Sequence, residues 1–367
     1  MSIRFDNDSR IVMTLDAGGT NLKFSAIRGN KLLLGPVSVP SEADDLGRCL
    51  ANIVQGFENI RASVPEAPVA ISFAFPGPAD YPAGIVANVG NLPAFRGGVA
   101  LGPMLEERFG IPVFLNNDGD LFVCGEAIAG FLPYVNNLLE HGGNPKRYRN
   151  LFGITLGSGL GGGIVINGEL LIGDNSAGGE AWLLRHKRDA KMNAEEGASI
   201  RAVRKVYAQI SGIPFEQAPE PKTIFEIGMG RAKGNADAAR DAFRQMGEIA
   251  GDAVAQALTL IDGLVVVGGG ISAAAPLFLP ALVDAMNSVF ERDGNPMPRL
   301  VPRTFNFDDA AQRADFLKSS ARELSVPSST RKVFYDPIQR TAVGLSRLGT
   351  SEAVAIGAYA YALNRLG

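Results

Sequence analysis

The chain has 367 residues, 46% of them apolar and 20% charged, with a net charge of −3, a length that fits two domains each able to bury its own core. That composition excludes global disorder, and the scattered charge gives no electrostatic hold on DNA or on an anionic membrane, so the expected partners are small molecules, with no nucleic acid and no membrane. Cys49 and Cys124 have neither disulfide nor metal-ligand spacing and read as buried thiols, and MSIRFDNDSR lacks the apolar core of a signal peptide, which points to a cytoplasmic protein.

Ile11 to Ile27 reads as a β-hairpin: a strand ending in Asp16, the tip Ala17-Gly18-Gly19-Thr20, and a return strand in which Leu22, Phe24 and Ala26 alternate with Asn21, Lys23 and Ser25. Paired glycines allow positive φ and leave backbone N–H groups uncovered, so the tip can close around an anion such as a phosphate. Thr20 adds a hydroxyl donor, and Asp16 is tolerable beside an anion where a cation such as Mg²⁺ lies between them. An ordinary Gly-Gly turn accounts for the same residues. Ser41 to Ala62 has helical spacing, and Pro68 to Phe75 is an apolar run suited to a strand covered on both faces. Pro76-Gly77-Pro78 ends it, either as a plain turn or as a place where a ligand meets the backbone. Gly84 to Arg96, with Asn88 and Asn91, is loop-like, and Val99 to Phe109 reads as a helix. Ile111 to Leu115 is a short strand running into Asn116-Asn117-Asp118-Gly119-Asp120 and a helix over Leu121 to Phe131. Asp118 or Asp120 can be no more than the N-cap of that helix. Asp118 also stands at the carboxyl end of a strand, where catalytic groups of open α/β sheets collect, and Asn117 offers a substrate hydroxyl both a donor and an acceptor.

Pro133 to Asn150, with the basic run Lys146-Arg147-Tyr148-Arg149, reads as a linker or surface insertion. The opening pattern then returns: strand Leu151 to Leu156, tip Gly157 to Gly163, return Ile164 to Ile166. Gly157 to Gly162 match the three-glycine dinucleotide fingerprint, but they lead into a strand closed by Asn167-Gly168 rather than a helix. They therefore read as a second phosphate hairpin, with Thr155 and Ser158 as hydroxyl donors. Gly263 to Val283 carries no charge and is long enough to span a bilayer, yet Gly268-Gly269-Gly270, Pro276 and Pro280 divide it into buried strand, glycine turn and helix. With a helix over Ile249 to Leu260 before that strand, the second half repeats the first. Pro296 to Gln339 reads as an insertion, and Ser351 to Leu366 as a closing helix with Glu352 in its first turn and Val354, Ala358, Tyr361 and Ala362 on its apolar face.

Two α/β lobes, each with a glycine hairpin aimed at the space between them, describe a cleft for polyphosphate without any Walker sequence. Phosphoryl transfer needs an aligned acceptor, a cation on the phosphates and a carboxylate to take the acceptor's proton. Asp118 is the best-placed base. His141 and His186 lie in polar, exposed stretches, and no nucleophile elbow is present.

DAGGTNLKF, PGP at 76–78, NNDGD followed by GEA at 125–127, TLGSGLGGGIVINGEL, GGEA at 178–181 and VVVGGGIS together resemble the ROK family of sugar kinases and sugar-responsive repressors. The resemblance runs from residue 11 to the C-terminal helix, apart from the two insertions. It implies a two-lobed actin-like, ribonuclease H-like ATPase fold with a central cleft: lobe 1–131 completed by 351–367, and lobe 132–350 with insertions near 133–150 and 296–339. It also implies transfer of the ATP γ-phosphate to a hydroxyl of a hexose or N-acetylhexosamine. By the same resemblance Asp118 is the catalytic base, and Gly77, Asn91, Asn117, Glu180 and Glu195 are substrate-facing, with Glu196 the alternative to Glu195. Asp16, Gly18, Gly19, Thr20, Asn21 and Lys23 form the first ATP hairpin, Thr155, Gly157, Ser158 and Gly159 the second, and Gly268, Gly269 and Gly270 the adenosine-side turn. Asp16 would face Mg²⁺.

The sequence departs from the family in one place. Many members follow the GE motif with a histidine and a cysteine cluster holding structural zinc, whereas here Glu180 is followed by Ala181-Trp182-Leu183-Leu184 and no cysteine follows Cys124. Zinc needs about four ligands, so no zinc site is expected, and packing around Trp182 and Leu183 would hold the loop instead. A repressor of this family would need a helix-turn-helix module, and only about ten residues precede the first strand. A non-catalytic sugar sensor is the alternative to a kinase. Family members are commonly homodimers or homotetramers.

Overall fold

The computed structural model describes residues 5–77, 79–87 and 92–367, and the chain separates into two compact units. Unit 1 comprises Met1–Pro133, Gly163–Gly179 and Arg347–Gly367, and unit 2 comprises Tyr134–Gly162 and Glu180–Ser346. Residues 163–179 thus group with the first unit, whereas the expected lobes placed them in the second.

In unit 1, β1 (Val12–Ala17), β2 (Asn21–Arg28) and β3 (Lys31–Pro40) form an antiparallel meander. Helix α1 (Leu46–Ser63) leads to β4 (Ala70–Ala74), parallel to β1. A short hairpin of β5 (Ala79–Asp80) and β6 (Ile85–Val86) and helix α2 (Leu101–Phe109) precede β7 (Val113–Asn116), parallel to β4, which gives the sheet order β3-β2-β1-β4-β7. Strand alternation sorts the side chains to two faces. Met13, Leu15, Ile71 and Phe73 join Phe24 and Phe57 in the larger core, which α1 and α2 cover. Val12 and Ala70 pack with Tyr359, Ala362 and Leu363 of the closing helix.

Helix α3 (Asp118–Ile128) follows β7 directly, starting three residues before the expected Leu121. Fully buried Glu126 accepts backbone N–H groups from Phe131 (2.7 Å), Arg347 (3.1 Å) and Leu348 (3.1 Å), so the GEA motif serves the fold. Helix α4 (Phe131–His141) occupies half of the stretch expected to be a linker. Phe131, Leu132, Val135 and Leu139 bury one side of it, and Pro133 falls in the first turn, where no N–H donor is needed. Asp118–His141 is long and apolar enough to cross a membrane by length and composition, but it is divided between these two helices.

In unit 2, β8 (Leu151–Leu156) turns into β9 (Leu160–Ile166), which starts four residues before the expected Ile164. Its later half, in unit 1, pairs antiparallel with β10 (Glu169–Leu170) across the expected Asn167-Gly168 turn, where both residues have positive φ. Helices α5 (Ile200–Ser211), α6 (Pro221–Gly228) and α7 (Ala236–Ile261) precede β11 (Leu264–Gly268), and α8 (Ala275–Met286) follows it. Helix α7 is 26 residues long, extending well before the expected Ile249.

The expected 296–339 insertion is only partly one. Two exposed hairpins, β12 (Val289–Arg292) with β13 (Asn295–Pro298) and β15 (Arg322–Ser325) with β16 (Lys332–Tyr335), flank β14 (Arg303–Asn306) and α9 (Ala310–Leu317). Strand β14 belongs to the main sheet, parallel to β17 (Arg340–Leu345), because Phe305, Phe307 and Phe316 form a buried aromatic cluster there. The six-stranded sheet runs β10-β9-β8-β11-β17-β14, which repeats the β3-β2-β1-β4-β7 order of unit 1 with one strand added. Helix α10 (Thr350–Leu366) closes the chain in unit 1. Of its expected face, Ala358 and Ala362 are buried while Val354 and Tyr361 are half-buried, and Ala353, Ile356, Tyr359 and Leu363 complete the contact.

Candidate functional site

At the unit 1 tip, Gly18 N–H donates to Asn21 O (3.0 Å). Gly18 does not use the positive φ that glycine allows; a Cβ there would stand 2.9 Å from Asn21 O, so the need for glycine is closeness. Ser41, expected only as a helix start, is buried and clamps the tip: its Oγ donates to Gly19 O (2.5 Å) and its N–H to Thr20 O (3.0 Å). Asp16 faces Lys23 across the ladder at 4.0 Å, with both side chains more than half exposed, so the pair adds little stability. Asp16, Lys23 and Asp118 line one cavity of about 460 Å³ within unit 1.

Asp118 opens α3 at the end of β7. The N-cap is Asn117, not Asp118 or Asp120: Asn117 Oδ1 accepts Gly119 N–H at 2.8 Å, and Asp118 Oδ1 shares that N–H at 2.8 Å. Asp118 is exposed to solvent where it lines the cavity. Loss of hydration pushes its pKa above the usual carboxylate range, the Asp16 charge adds to the rise, and the Gly119 N–H opposes it. Next to it Asn116 is 1% exposed, with neither side-chain amide atom hydrogen-bonded, a residue that the sequence reading placed in the motif after the strand without giving it a role. Gly77 follows β4, and a Cβ there would stand 3.0 Å from Tyr81 Oη, the hydroxyl that donates to Phe75 O (3.0 Å). Thr20 and Asn21 are exposed at the tip. Asn91, Asn88 and Pro78 lie outside the described residues.

At the unit 2 tip, Gly157 N–H donates to Gly159 O (3.0 Å), and Ile200 N–H donates to Gly157 O (2.8 Å). Glu195 Oε2 accepts Leu160 N–H at 3.0 Å, and a Cβ on Gly159 would stand 2.3 Å from that oxygen. The Thr155 hydroxyl lies against Gly161 in the same way, where a Cβ would come within 2.4 Å. Gly268 ends β11, and Gly269 has φ +88° with the Leu156 backbone where its Cβ would be, so the glycine turn and the hairpin share Leu156. Ile271 N–H completes the link by donating to Leu156 O (3.0 Å). Gly270 and Ile271 line a cavity of about 220 Å³ with Lys222 and Phe225 of α6, two residues that no sequence motif had marked.

Glu180 accepts a hydrogen bond from the indole N–H of Trp182, the only tryptophan of the chain, and Glu196 pairs with Arg201 at the surface. Leu183 is 58% exposed, so it does not hold the loop as expected. The loop over 184–197 is instead tied by Ala194 N–H to Leu184 O (2.7 Å) and His186 N–H to Met192 O (3.1 Å). The His186 ring is half-buried rather than exposed, and its Nδ1 accepts the N–H groups of Arg188 and Asp189 at 3.1 Å each. Burial holds its pKa below the ordinary value.

The ROK family model matches residues 12–313, and the chain belongs to the ROK family. Its fold is accordingly the actin-like ATPase type. A crystal structure of a glucokinase from Parabacteroides distasonis is 53% identical, with a TM-score of 0.90 over 98% of this chain and 99% of that one. A glucokinase from Streptomyces coelicolor is 26% identical over 291 residues, 73% of this chain and 84% of that protein. An N-acetyl-D-glucosamine kinase from Vibrio cholerae is 28% identical over 185 residues, 50% of this chain and 56% of that protein.

Proposed function

We propose that this protein is a cytoplasmic ATP-dependent sugar kinase that transfers the γ-phosphate to a hydroxyl of a hexose or N-acetylhexosamine, with Asp118 as general base. The observation that carries this reading is the Asp118 carboxyl at the end of β7, in one cavity with Asp16 and with its pKa raised by burial. A carboxylate whose pKa is raised toward the working pH is a better acceptor for a hydroxyl proton than an ordinary one. Glucose is the first sugar to test, because the 53% identical relative is named a glucokinase.

Gly18, Gly19, Thr20, Asn21 and Lys23 of unit 1 and Thr155, Gly157, Ser158 and Gly159 of unit 2 supply the phosphate donors. Gly268 to Gly270, with Phe225 and Lys222 across the small cavity, take the adenosine side. Gly77, Asn117, Glu180 and Glu195 contact the sugar, with Asn91 assigned by sequence alone. Buried Asn116 adds an amide whose hydrogen bonds are unmet within the protein, a costly arrangement that a polar ligand or water relieves. The exposed Asp16 carboxylate fits Mg²⁺, which binds through one or two carboxylates together with substrate phosphates. When bound, the ion neutralises phosphate charge.

The test is ADP release with Mg·ATP across glucose, fructose, mannose, N-acetylglucosamine and N-acetylmannosamine, with Asp118→Asn in parallel. Turnover on one sugar, lost in the variant, supports the kinase and names its substrate. Sugar binding without turnover on any of them replaces the kinase with a sugar sensor.

A further inference from the structure

A cavity of about 730 Å³ in unit 2 lies at the amino ends of β8 and β17, away from that unit's glycine tip and glycine turn. The tip that follows β8 is a full strand away, about 17 Å at the usual rise per residue. Its walls are the segment entering β8, the end of α7, the segment after β13 and the segment entering β17. In a chain of net charge −3, five cations line it against two carboxylates, Asp262 and Asp336.

Those cations are not equivalent. Arg340 is 7% exposed and is engaged by Asp336 and by the carbonyls of Phe316 and Lys318. Arg147 donates to the carbonyls of Asn144 and Lys146, and Arg299 lies 3.9 Å from Asp252 and over the Phe290 ring. These three are held by the fold and fix a positive wall. Lys146 and Arg149 remain, both exposed on the segment entering β8. Lys146 stacks over Tyr148, and Arg149 makes no hydrogen bond or ion pair with the described residues. Opposite charges are available too, since exposed Asp262 can accept hydroxyl donors, while Leu258 and Ile338 give the cavity an apolar side.

We propose that this cavity binds a small phosphate ester on a polyhydroxylated body, with Lys146 and Arg149 on the phosphate and Asp262 on the hydroxyls. Its volume is that of a metabolite-sized site. A guanidinium grips phosphate through two parallel N–H bonds and an ammonium adds a point charge, so both residue types suit this group. The site stands independently of the kinase reading, because none of its residues takes part in the proposed phosphoryl transfer.

Two sources share that chemistry, a sugar phosphate and a nucleotide, and the experiment separates them. Hydrogen exchange of the full chain is followed with glucose 6-phosphate, with ADP, and with sulfate as control. The expected result is slowed exchange in 146–150 and 298–302 with one ester but not with sulfate at equal concentration. Lys146→Glu with Arg149→Glu should weaken that ester's binding at least tenfold, and the milder Lys146→Gln with Arg149→Gln should weaken it in the same direction. ATP-dependent sugar turnover in the same variants reads the kinase proposal separately and should not change. Failure of both esters to protect either segment, equal protection by sulfate, or unchanged affinity in both variants would each overturn the site.

Discussion

The two glycine tips are built alike but held differently. In unit 1 the clamp is neutral and local: buried Ser41, one residue past β3, takes the carbonyls of Gly19 and Thr20. In unit 2 the clamp is charged and distant: Glu195, on the loop that starts near Glu180, takes the N–H of Leu160 and closes over Gly159. Among the described contacts, the first tip is therefore held from the end of its own sheet. The second is joined through Glu195 to the loop proposed to hold the sugar, so on that proposal sugar binding should adjust it. A second contrast is chemical. Unit 1 places a carboxylate of raised pKa beside its tip, and unit 2 pairs its tip with a glycine turn and an apolar cavity.

The sharpest way to break that contrast is Asp118→Asn. Losing the proposed base should lower kcat by roughly 10²- to 10⁴-fold with a small change in KM, read by ADP release. The same variant should be more stable than the parent at neutral pH. Because the folded pKa is raised, the native state holds the Asp118 proton more tightly than the unfolded chain does. That stabilisation is fully present below the ordinary carboxylate value and is lost as pH rises through the raised one. The advantage of Asn in thermal melts should thus shrink as pH falls. A variant no more stable than the parent at neutral pH would contradict the burial of the carboxyl.

The units also share a way of crossing helices, and here the expected effect falls on stability. A Cβ on Gly357 would stand 1.9 Å from Leu121 O and one on Gly125 2.0 Å from Ala353 O, where α10 crosses α3. In unit 2, Cβ atoms on Gly247 and Gly251 would stand 2.3 Å from Phe278 O and 2.3 Å from Leu282 O, where α7 crosses α8. Backbone cannot yield as a side-chain end can, so Gly357→Ala should cost about 3 kcal/mol or more in denaturant unfolding, and Gly251→Ala less. Equal and negligible costs would mean that the helices are free to separate.

The two clamps give a third, smaller test. Ser41→Ala should raise KM for ATP alone, about three- to tenfold, as expected for one lost hydrogen bond. Glu195→Ala should raise KM for both ATP and sugar. If Glu195→Ala leaves the ATP constant unchanged, the sugar loop does not act on the second tip.

What the sequence disclosed and what it hid follow a physical division. Glycine tips, apolar strands and the place of Asp118 at a strand-to-helix junction were legible because each depends on a local run of residues. The repeat was legible for the same reason, and the matching strand orders bear it out. Strand β3 went unread because Gly35-Pro36 interrupts its pattern, and α4 because Asn136-Asn137 mask a helix whose buried residues face the other way. Strand β14 was taken for insertion because its aromatic partners come from α9, not from its own alternation. Ser41 and Asn116 matter through contacts or burial that no spacing encodes. Glu195 was read as a sugar contact, and its bond to Leu160 spans 35 residues.

His186 carries the smallest expected effect and bears on the distant clamp. Its Nδ1 takes two backbone N–H groups, which a protonated imidazole cannot do. Burial lowers its pKa, Asp189 and Glu196 pull the value back up, and Arg188, itself engaged by Gln245 and Glu248, pushes it down. A lowered folded pKa means that the contribution is complete above the ordinary histidine value near 6.5 and is lost as pH falls through the folded one. Exchange at the Arg188 and Asp189 amides, corrected for intrinsic rates, should therefore quicken as pH falls below the ordinary histidine value. His186→Asn places an amide oxygen close to the position of Nδ1 and cannot be protonated there, so it should keep the loop tied across the same range. A parent protein whose amides exchange at one corrected rate from pH 7 to 5 would show that backbone bonds hold the loop without the ring, and the link from loop to tip would then rest on Glu195 alone.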